Sequence, residues 1–297
     1  MNLDTLINRA VRQPKKTVAV AAAEDHEVIE AVSKAMELGL AKFRLYGNEQ
    51  LITTMLQEHG LQQSDEMQVI GASSALEAAE FAVKSVRSGE ADVLMKGNIA
   101  TSNILKAVLN KEYGLRKGSV LSHVAVFEVP NYDRFLILTD AAMNIAPDLE
   151  QKAAIVQNTV EVARAIGIEQ PKVAPIAAVE VVNPAMQATV DAALLTQMNR
   201  RGQIKDCIVD GPLALDNAIS KIAAGHKGIK SDVAGEADIL LVPTIEVGNV
   251  FYKTLVYFAN AKVGAVIAGA KAPIVLTSRT DSAEAKVYSL ALAVTTA

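Results

Sequence analysis

KTVAVAAAEDHEVIEAVSKAMELGLAKFRLYG, Lys16 to Gly47, contains two short strand-like runs around one segment of helical period. KTVAVAAA and AKFRLYG are brief and apolar, whereas EDHEVIEAVSKAMELG repeats its apolar residues at helical spacing and ends on Gly39. A strand, a helix and a second strand within about thirty residues is a βαβ unit, which calls for a parallel sheet covered by helices. The same rhythm continues outward. NEQLITTMLQEHG follows AKFRLYG, and ADVLMKG precedes NIATSNILKAVLNKE. Gly39, Gly60 and Gly89 fall where helices should stop, as left-handed C-terminal caps do.

Between residues 118 and 141 the rhythm changes. SVLSHVAVFEV and DRFLILTDAA are separated only by PNY, a connection short enough for an antiparallel pair and too short for a crossover. Alternation then resumes from PDLEQKAAIVQNTVEVARAIG to APIVLTS. A domain boundary is therefore placed at the hairpin, between residues 134 and 135, and the pattern alone leaves open whether the closing segment from Ala272 returns to the first domain. No tandem repeat or low-complexity linker interrupts the chain.

The 297 residues suffice for two domains and a large core. With 51% apolar residues, 21% charged residues and a formal net charge of −4, there is no general electrostatic attraction to nucleic acid or to an anionic membrane. No apolar run reaches the ~18–20 residues needed to cross a bilayer, and MNLDTLINRAVRQPKK lacks a secretory signal, so a cytoplasmic location is expected. Cys207 is the single cysteine. His26, His59, His123 and His226 show no metal-ligand spacing.

In parallel α/β sheets chemistry gathers at the carboxyl ends of the strands, and five loops there carry polar residues. VLMKGNIATSN offers Lys96, Gly97, Asn98 and Thr101 between a strand and a helix start, a place where backbone N–H groups and a lysine can meet an anion. It is neither a Walker sequence nor a dinucleotide fingerprint. LTDAAMNIAPDLEQK offers Asp140 and Asn144, with Asp148 and Glu150 as helix-start residues. DGPLALDNAIS reads as cleft lining with Asp216 as an N-cap. LLVPTIEVGNVFYKTL places Gly248 and Asn249 just before a helix with Lys253 on its first turn, where a lysine opposes the dipole unless an anion binds nearby. LTSRTDSAEAK offers Ser278 and Arg279, a hydroxyl donor and a two-pronged anion grip, with Asp281 or Ser282 capping the helix of Glu284 and Lys286. Each of these stretches also has an ordinary reading as a turn or a helix cap.

Taken together, ADVLMKGNIAT, LTDAAMNIAPDLEQKAAI, DGPLALDNAIS, EADILLVPTIEVGNVFYKTL and KAPIVLTSRTDSAEAK span nearly the whole chain and resemble the phosphate acetyltransferase and phosphate butyryltransferase family, the butyryltransferase branch more than the other. The resemblance implies two three-layer α/β domains with a cleft between them, like isocitrate and isopropylmalate dehydrogenases, with residues 1–134 and 272–297 in the first and 135–271 in a second that carries dimerisation. It implies exchange of an acyl group between CoA and inorganic phosphate, with acyl-CoA and phosphate as substrates, no metal or other cofactor, and a homodimer or higher homo-oligomer. Ser278 and Arg279 match the family's Ser-Arg pair, while the acidic residue that the acetyltransferases carry six positions past the arginine is Ala285 here. Glu284 and Asp281 are the neighbouring carboxylates. Lys96, Gly97, Asn98, Thr101, Gly248, Asn249 and Lys253 are implied substrate contacts, joined by Ser122, Asp140 and Asn144.

On this reading phosphate attacks the thioester directly, Arg279 holds the phosphate, Ser278 donates to developing charge, and a carboxylate manages the thiol proton. A covalent route through Cys207 is disfavoured, because KDCIVDG reads as a buried strand with no histidine beside it. The alternatives are a phosphate acetyltransferase, a non-catalytic acyl-CoA or phosphate binder left open by Ala285, and an oxidoreductase on a related fold. The last would need a nucleotide loop and clustered metal-binding aspartates, and the sequence has neither. The preferred acyl chain is not legible, since one methylene is worth only ~1–3 kcal/mol.

Overall fold

The computed structural model describes residues 2–118, 120–276 and 282–297. The chain forms two compact units, one of Leu3–Gly118 with Gly264–Ala297 and one of Ser119–Val263. The terminal unit begins with α1 (Leu3–Val11), β1 (Lys16–Ala21), α2 (His26–Glu37), β2 (Ala41–Gly47), α3 (Glu49–Glu58), β3 (Met67–Gly71), α4 (Ala75–Ser88), β4 (Val93–Lys96) and α5 (Thr101–Val108). The central unit holds β5 (Ser122–Glu128), β6 (Phe135–Thr139), α6 (Leu149–Ala165), β7 (Lys172–Pro175) and α7 (Gln187–Arg200). It continues through β8 (Ile208–Val209), α8 (Leu215–Ile219), α9 (Lys221–His226), β9 (Ile239–Leu241) and α10 (Ile245–Tyr257). The chain then returns through β10 (Lys262–Ala268), β11 (Ile274–Val275) and α11 (Ala283–Thr296).

In the terminal unit the strand order is β3-β2-β1-β4-β11-β10. Every adjacent pair is parallel except β10 with β11, which meet antiparallel at Ile267 and Ile274. The β1-to-β2 and β3-to-β4 crossovers run in opposite directions, so the right-handed rule puts α2 and α4 on opposite faces and makes three layers. The packing agrees: α2 lies with α11 and α11 with α1, whereas α4 packs on β1, β2 and α5. Strands covered on both faces need near-continuous apolar sequence. Val18 to Ala21 and Val93 to Met95 meet that need with no exposed surface. Asp25, Asn48 and Ser74 cap α2, α3 and α4 through their side chains. Gly39, Gly60 and Gly89 adopt positive φ at or just past the helix ends, as the sequence spacing predicts.

The central unit has the order β5-β6-β9-β7-β8. β5 and β6 are the expected antiparallel pair, in register from Ala125 opposite Leu138 to Glu128 opposite Phe135, and they lie wholly inside this unit. The other pairs are parallel. A capping box opens α6, with the Asp148 side chain accepting from Gln151 N–H while the Gln151 side chain accepts from Asp148 N–H. No helix among the described residues is long and apolar enough to cross a membrane.

Candidate functional site

Where β1 and β4 lie side by side, the chain leaves β1 toward β2 on one flank, while β4 opens the other flank toward β11. This reversal is the switch point at which open α/β sheets bind ligands. The VLMKGN loop sits on it. Gly97 N–H donates to Ala21 O at 2.8 Å and Asn98 N–H to Ala22 O at 2.7 Å. A Cβ at residue 97 would lie 2.1 Å from Ala22 O, so only glycine permits this approach. Lys96 is 9% exposed and its Nζ donates to Gly97 O at 3.2 Å, while Asn98 and Thr101 are exposed. Among the described residues no side chain caps the α5 N-terminus behind them.

Glu24 belongs to the same place and was passed over in the sequence. It follows β1, and its buried Oε2 has no hydrogen-bond partner among the described residues. The carboxylate lies over Gly47, where a Cβ would fall 1.9 Å from that oxygen. The rule that selected the other loops, a polar residue just past a buried strand, applies to AAAED as well and would have found it.

One strand further along, β11 runs parallel to β4 with Ile274 beside Leu94 and Val275 beside Met95. The chain leaves β11 toward Ser278, Arg279 and Asp281, which lie outside the described residues. Ser282 caps α11 by accepting from Ala285 N–H at 3.1 Å. Glu284 is exposed and its Oε1 accepts from the Tyr288 hydroxyl at 2.8 Å; that hydroxyl oxygen also lies 3.0 Å from Asp4 Oδ1. Lys286, at 2% exposure, reaches Glu27 at 2.6 Å.

In the central unit Asp140 ends β6 in a closed turn. It is 2% exposed, its Oδ1 accepts from Ala142 and Met143 N–H at 2.9 Å each, and its Oδ2 accepts from the Asn144 amide at 2.5 Å. The same amide donates to Leu121 O at 2.8 Å. Ser122 is fully buried, and its hydroxyl accepts from the Asn158 amide of α6 at 3.0 Å. Gly248 closes the arrangement: a Cβ there would sit 2.7 Å from Asp140 O and 2.8 Å from Ala141 Cα, so α10 presses directly on the Asp140 turn. The structure thus brings Ser122, Asp140, Asn144 and Gly248 to one end of the β5–β6–β9 group.

Two helix starts differ from expectation. α10 begins at Ile245, so Gly248 and Asn249 lie inside it and Lys253 is in its third turn. The apolar residues Ile245 and Val247 continue the helical period upstream of the glycine, which therefore does not start the helix. The dipole argument for an anion at Lys253 falls with that. Its ammonium lies 5.6 Å from the Tyr252 ring centroid and 5.9 Å from that of Tyr257. Asp216 is likewise not an N-cap, because α8 starts a residue earlier and Ala214 holds that position. Cys207 is 8% exposed beside β8, and burial, helped by Asp206, pushes its thiol up to about 11. That suits a packed thiol and not a nucleophile.

Residues 71–294 match the family model described as phosphate acetyl/butaryl transferase. A "probable phosphate butyryltransferase" of Bacillus subtilis is 58% identical over 99% of this chain and 97% of its own length. A phosphate butyryltransferase of Clostridium beijerinckii is 52% identical over 98% of this chain and 96% of its own. Among solved structures, a branched-chain phosphotransacylase from Enterococcus faecalis superposes with a TM-score of 0.84 at 38% identity, covering 95% of this chain and 98% of that one.

Proposed function

The chain belongs to the phosphate acetyl/butyryl transferase family, and from that premise we propose that it carries a butyryl group between CoA and inorganic phosphate by direct attack in a ternary complex. It is an acyltransferase. The observation that supports the proposal most is the switch point of the terminal unit, where the Lys96–Gly97 turn and the β11 strand leading to Ser278 and Arg279 follow neighbouring strands.

Phosphate is a strongly hydrated dianion, and its attack on a thioester needs it stripped of water and aimed. A buried lysine and an arginine fork supply replacement contacts, and correct positioning contributes several kcal/mol to the barrier. Ser278 donates to the charge that forms on the carbonyl oxygen or the departing sulfur, a contribution on the order of 10²–10³ in rate for one preorganised donor. In reverse, the CoA thiol gives its proton to a carboxylate. Ala285 cannot take it, and beside Asp281 the candidates are Glu284, already hydrogen-bonded to Tyr288, and Glu24, with one oxygen unpartnered among the described residues. Cys207 has no part in this route. We propose further that the protein works as a homodimer or higher homo-oligomer.

The test is thiol release from butyryl-CoA measured with and without phosphate. Release that requires phosphate and yields butyryl phosphate supports transfer; binding of both substrates without release points to a non-catalytic relative. Rates across acetyl-, propionyl-, butyryl- and branched acyl-CoA then separate the butyryl from the acetyl reading.

A further inference from the structure

A second feature of the central unit lies at the carboxyl ends of β6, β7 and β9, where α6, α7 and α10 begin. A cavity of about 620 Å³ opens there, within the size range of small-ligand sites. Most of its wall is apolar, from Pro147, Leu149, Ala188, Leu194 and Pro243. At its base stands an ion pair: Lys152 Nζ donates to Asp191 Oδ2 at 2.5 Å, with both side chains under a tenth exposed. The Gln187 amide donates to Asp191 Oδ1 at 2.8 Å.

A buried ion pair costs more in lost hydration than its attraction repays unless its remaining hydrogen-bonding capacity is used. A purely structural pair is normally covered. This one lines a cavity. The ammonium has three donors and directs one to Asp191, leaving two. The first N–H groups of a helix lack intrahelical acceptors, and among the described residues no side chain caps those of α7, which starts at Gln187 on the cavity wall. Asp191 keeps lone pairs beyond the two contacts it accepts, and Asp148 at the rim brings a second carboxylate.

These groups narrow the ligand. Lys152, Asp191 and Asp148 together carry one net negative charge, which works against a free anion. A bare alkyl chain would bury the pair without satisfying it. A neutral chain offering an acceptor to the ammonium and, a few bonds along, a donor to the carboxylate, on a slender apolar body, satisfies both. Because a trans amide points its carbonyl and its N–H in opposite directions, the two come from successive secondary amides within an aliphatic chain.

We propose that this cavity binds an aliphatic chain carrying two secondary amides, the carbonyl of one toward Lys152 and the α7 N-terminus and the N–H of the other toward Asp191. Resting on the transferase reading, the molecule is CoA, and the part held here is its pantetheine arm.

Free pantetheine is the probe, titrated calorimetrically into the full chain. Two variants carry the test. Ala188→Leu fills the cavity without touching a polar group. Lys152→Met with Asp191→Leu replaces the pair by apolar side chains of similar size, an exchange that buried pairs tolerate. We expect pantetheine to bind the wild-type chain, and both variants to lose at least tenfold in pantetheine affinity and to raise the butyryl-CoA KM similarly with little change in kcat. A diazirine-bearing pantetheine irradiated on wild-type protein should label peptides within 146–152 or 187–194, a readout that needs no variant to fold. Unchanged affinity and KM in Ala188→Leu, or labelling confined to other peptides, overturns the proposal and leaves the transferase reading intact. Pantetheine binding that both variants abolish, in a chain that never turns over butyryl-CoA, overturns the transferase reading and leaves the cavity assignment standing.

Discussion

Gly248→Ala probes how tightly α10 is pressed onto the Asp140 turn. Within a helix this exchange ordinarily stabilises by about 1 kcal/mol, because glycine costs more backbone entropy to order. Here the new Cβ would meet Asp140 O at 2.7 Å, Ala141 Cα at 2.8 Å and Val242 Cγ2 at 2.9 Å. Two of those three neighbours are backbone, which cannot swing aside, so relief requires α10 or the Asp140 turn to move. Overpacking of that kind costs about 1–3 kcal/mol, and three simultaneous contacts place it near the upper end. The net expectation is a loss of about 2 kcal/mol, with a fall of roughly 4–8 °C in the melting transition for a body of this size. Gly225→Ala is the internal control, since among the described residues no atom beyond its own stretch of helix lies within 4 Å of its Cβ position and it should be neutral or stabilising. Urea denaturation reads both. Because Asp140 would be displaced, butyryl-CoA kinetics of Gly248→Ala should also show a raised KM. A Gly248→Ala chain as stable as wild type would refute the close approach and the argument that glycine is required by it.

Arg279→Ala should lower kcat/KM by two or more orders of magnitude, chiefly through the phosphate KM, with little rescue by Arg279→Lys; near-normal phosphate kinetics would remove it from the site. Cys207→Ala should keep full turnover, since a thiol pushed up to about 11 is only about one part in a thousand thiolate at pH 8; an acyl-Cys207 adduct seen by mass spectrometry would contradict direct attack. Glu284→Gln should slow thiol acylation from acyl phosphate most at low pH, where free thiolate is scarce; if it does not while Glu24→Gln does, the base is Glu24. Glu236 accepts from Lys172 and Lys221, which hold its carboxyl down at about 2 from an ordinary 4.5. Its contribution to stability is fully present above pH 4.5 and fades as the pH falls toward 2, so Glu236→Gln should lower the neutral plateau, by an amount that solvent screening of this surface pair keeps modest, and flatten the acid limb of a pH-stability profile.

Much of the fold was legible because the sheet is buried on both faces. KTVAVA and VLM have no choice but to read as apolar runs, and helices between them must show a 3.6 period to cover them. The β5–β6 pair was legible from a connection too short to cross over. The start of α10 was not, because Gly248 looked like punctuation. Its role is steric, set by Asp140 more than a hundred residues away, and no local window contains that contact. Glu24 was missed for a related reason: its carboxylate is notable only because Gly47 on the adjacent strand leaves room for it. Lys152 and Asp191 read singly as helix-face charges, and their pairing appears only when α6 and α7 pack. The loops of the site were legible as strand ends, yet which side chains share an end depends on strand order, which local periodicity does not encode.

The terminal unit is written in two pieces, and that has a consequence for its biosynthesis. β4 pairs on one side with β1 and on the other with β11, and α11 is buried along nearly its whole length from Lys286 to Thr295. Until the last piece has been translated, β4 presents an open edge and the floor for α11 stays bare. At ordinary elongation rates the ribosome spends on the order of ten seconds making the central unit in between. During that interval the nascent first piece carries an apolar strand edge of the sort that invites pairing with other chains. The central unit, continuous in sequence, can finish folding first, and the closing thirty or so residues then act as a latch, making premature termination near residue 264 far more damaging than the length lost would imply.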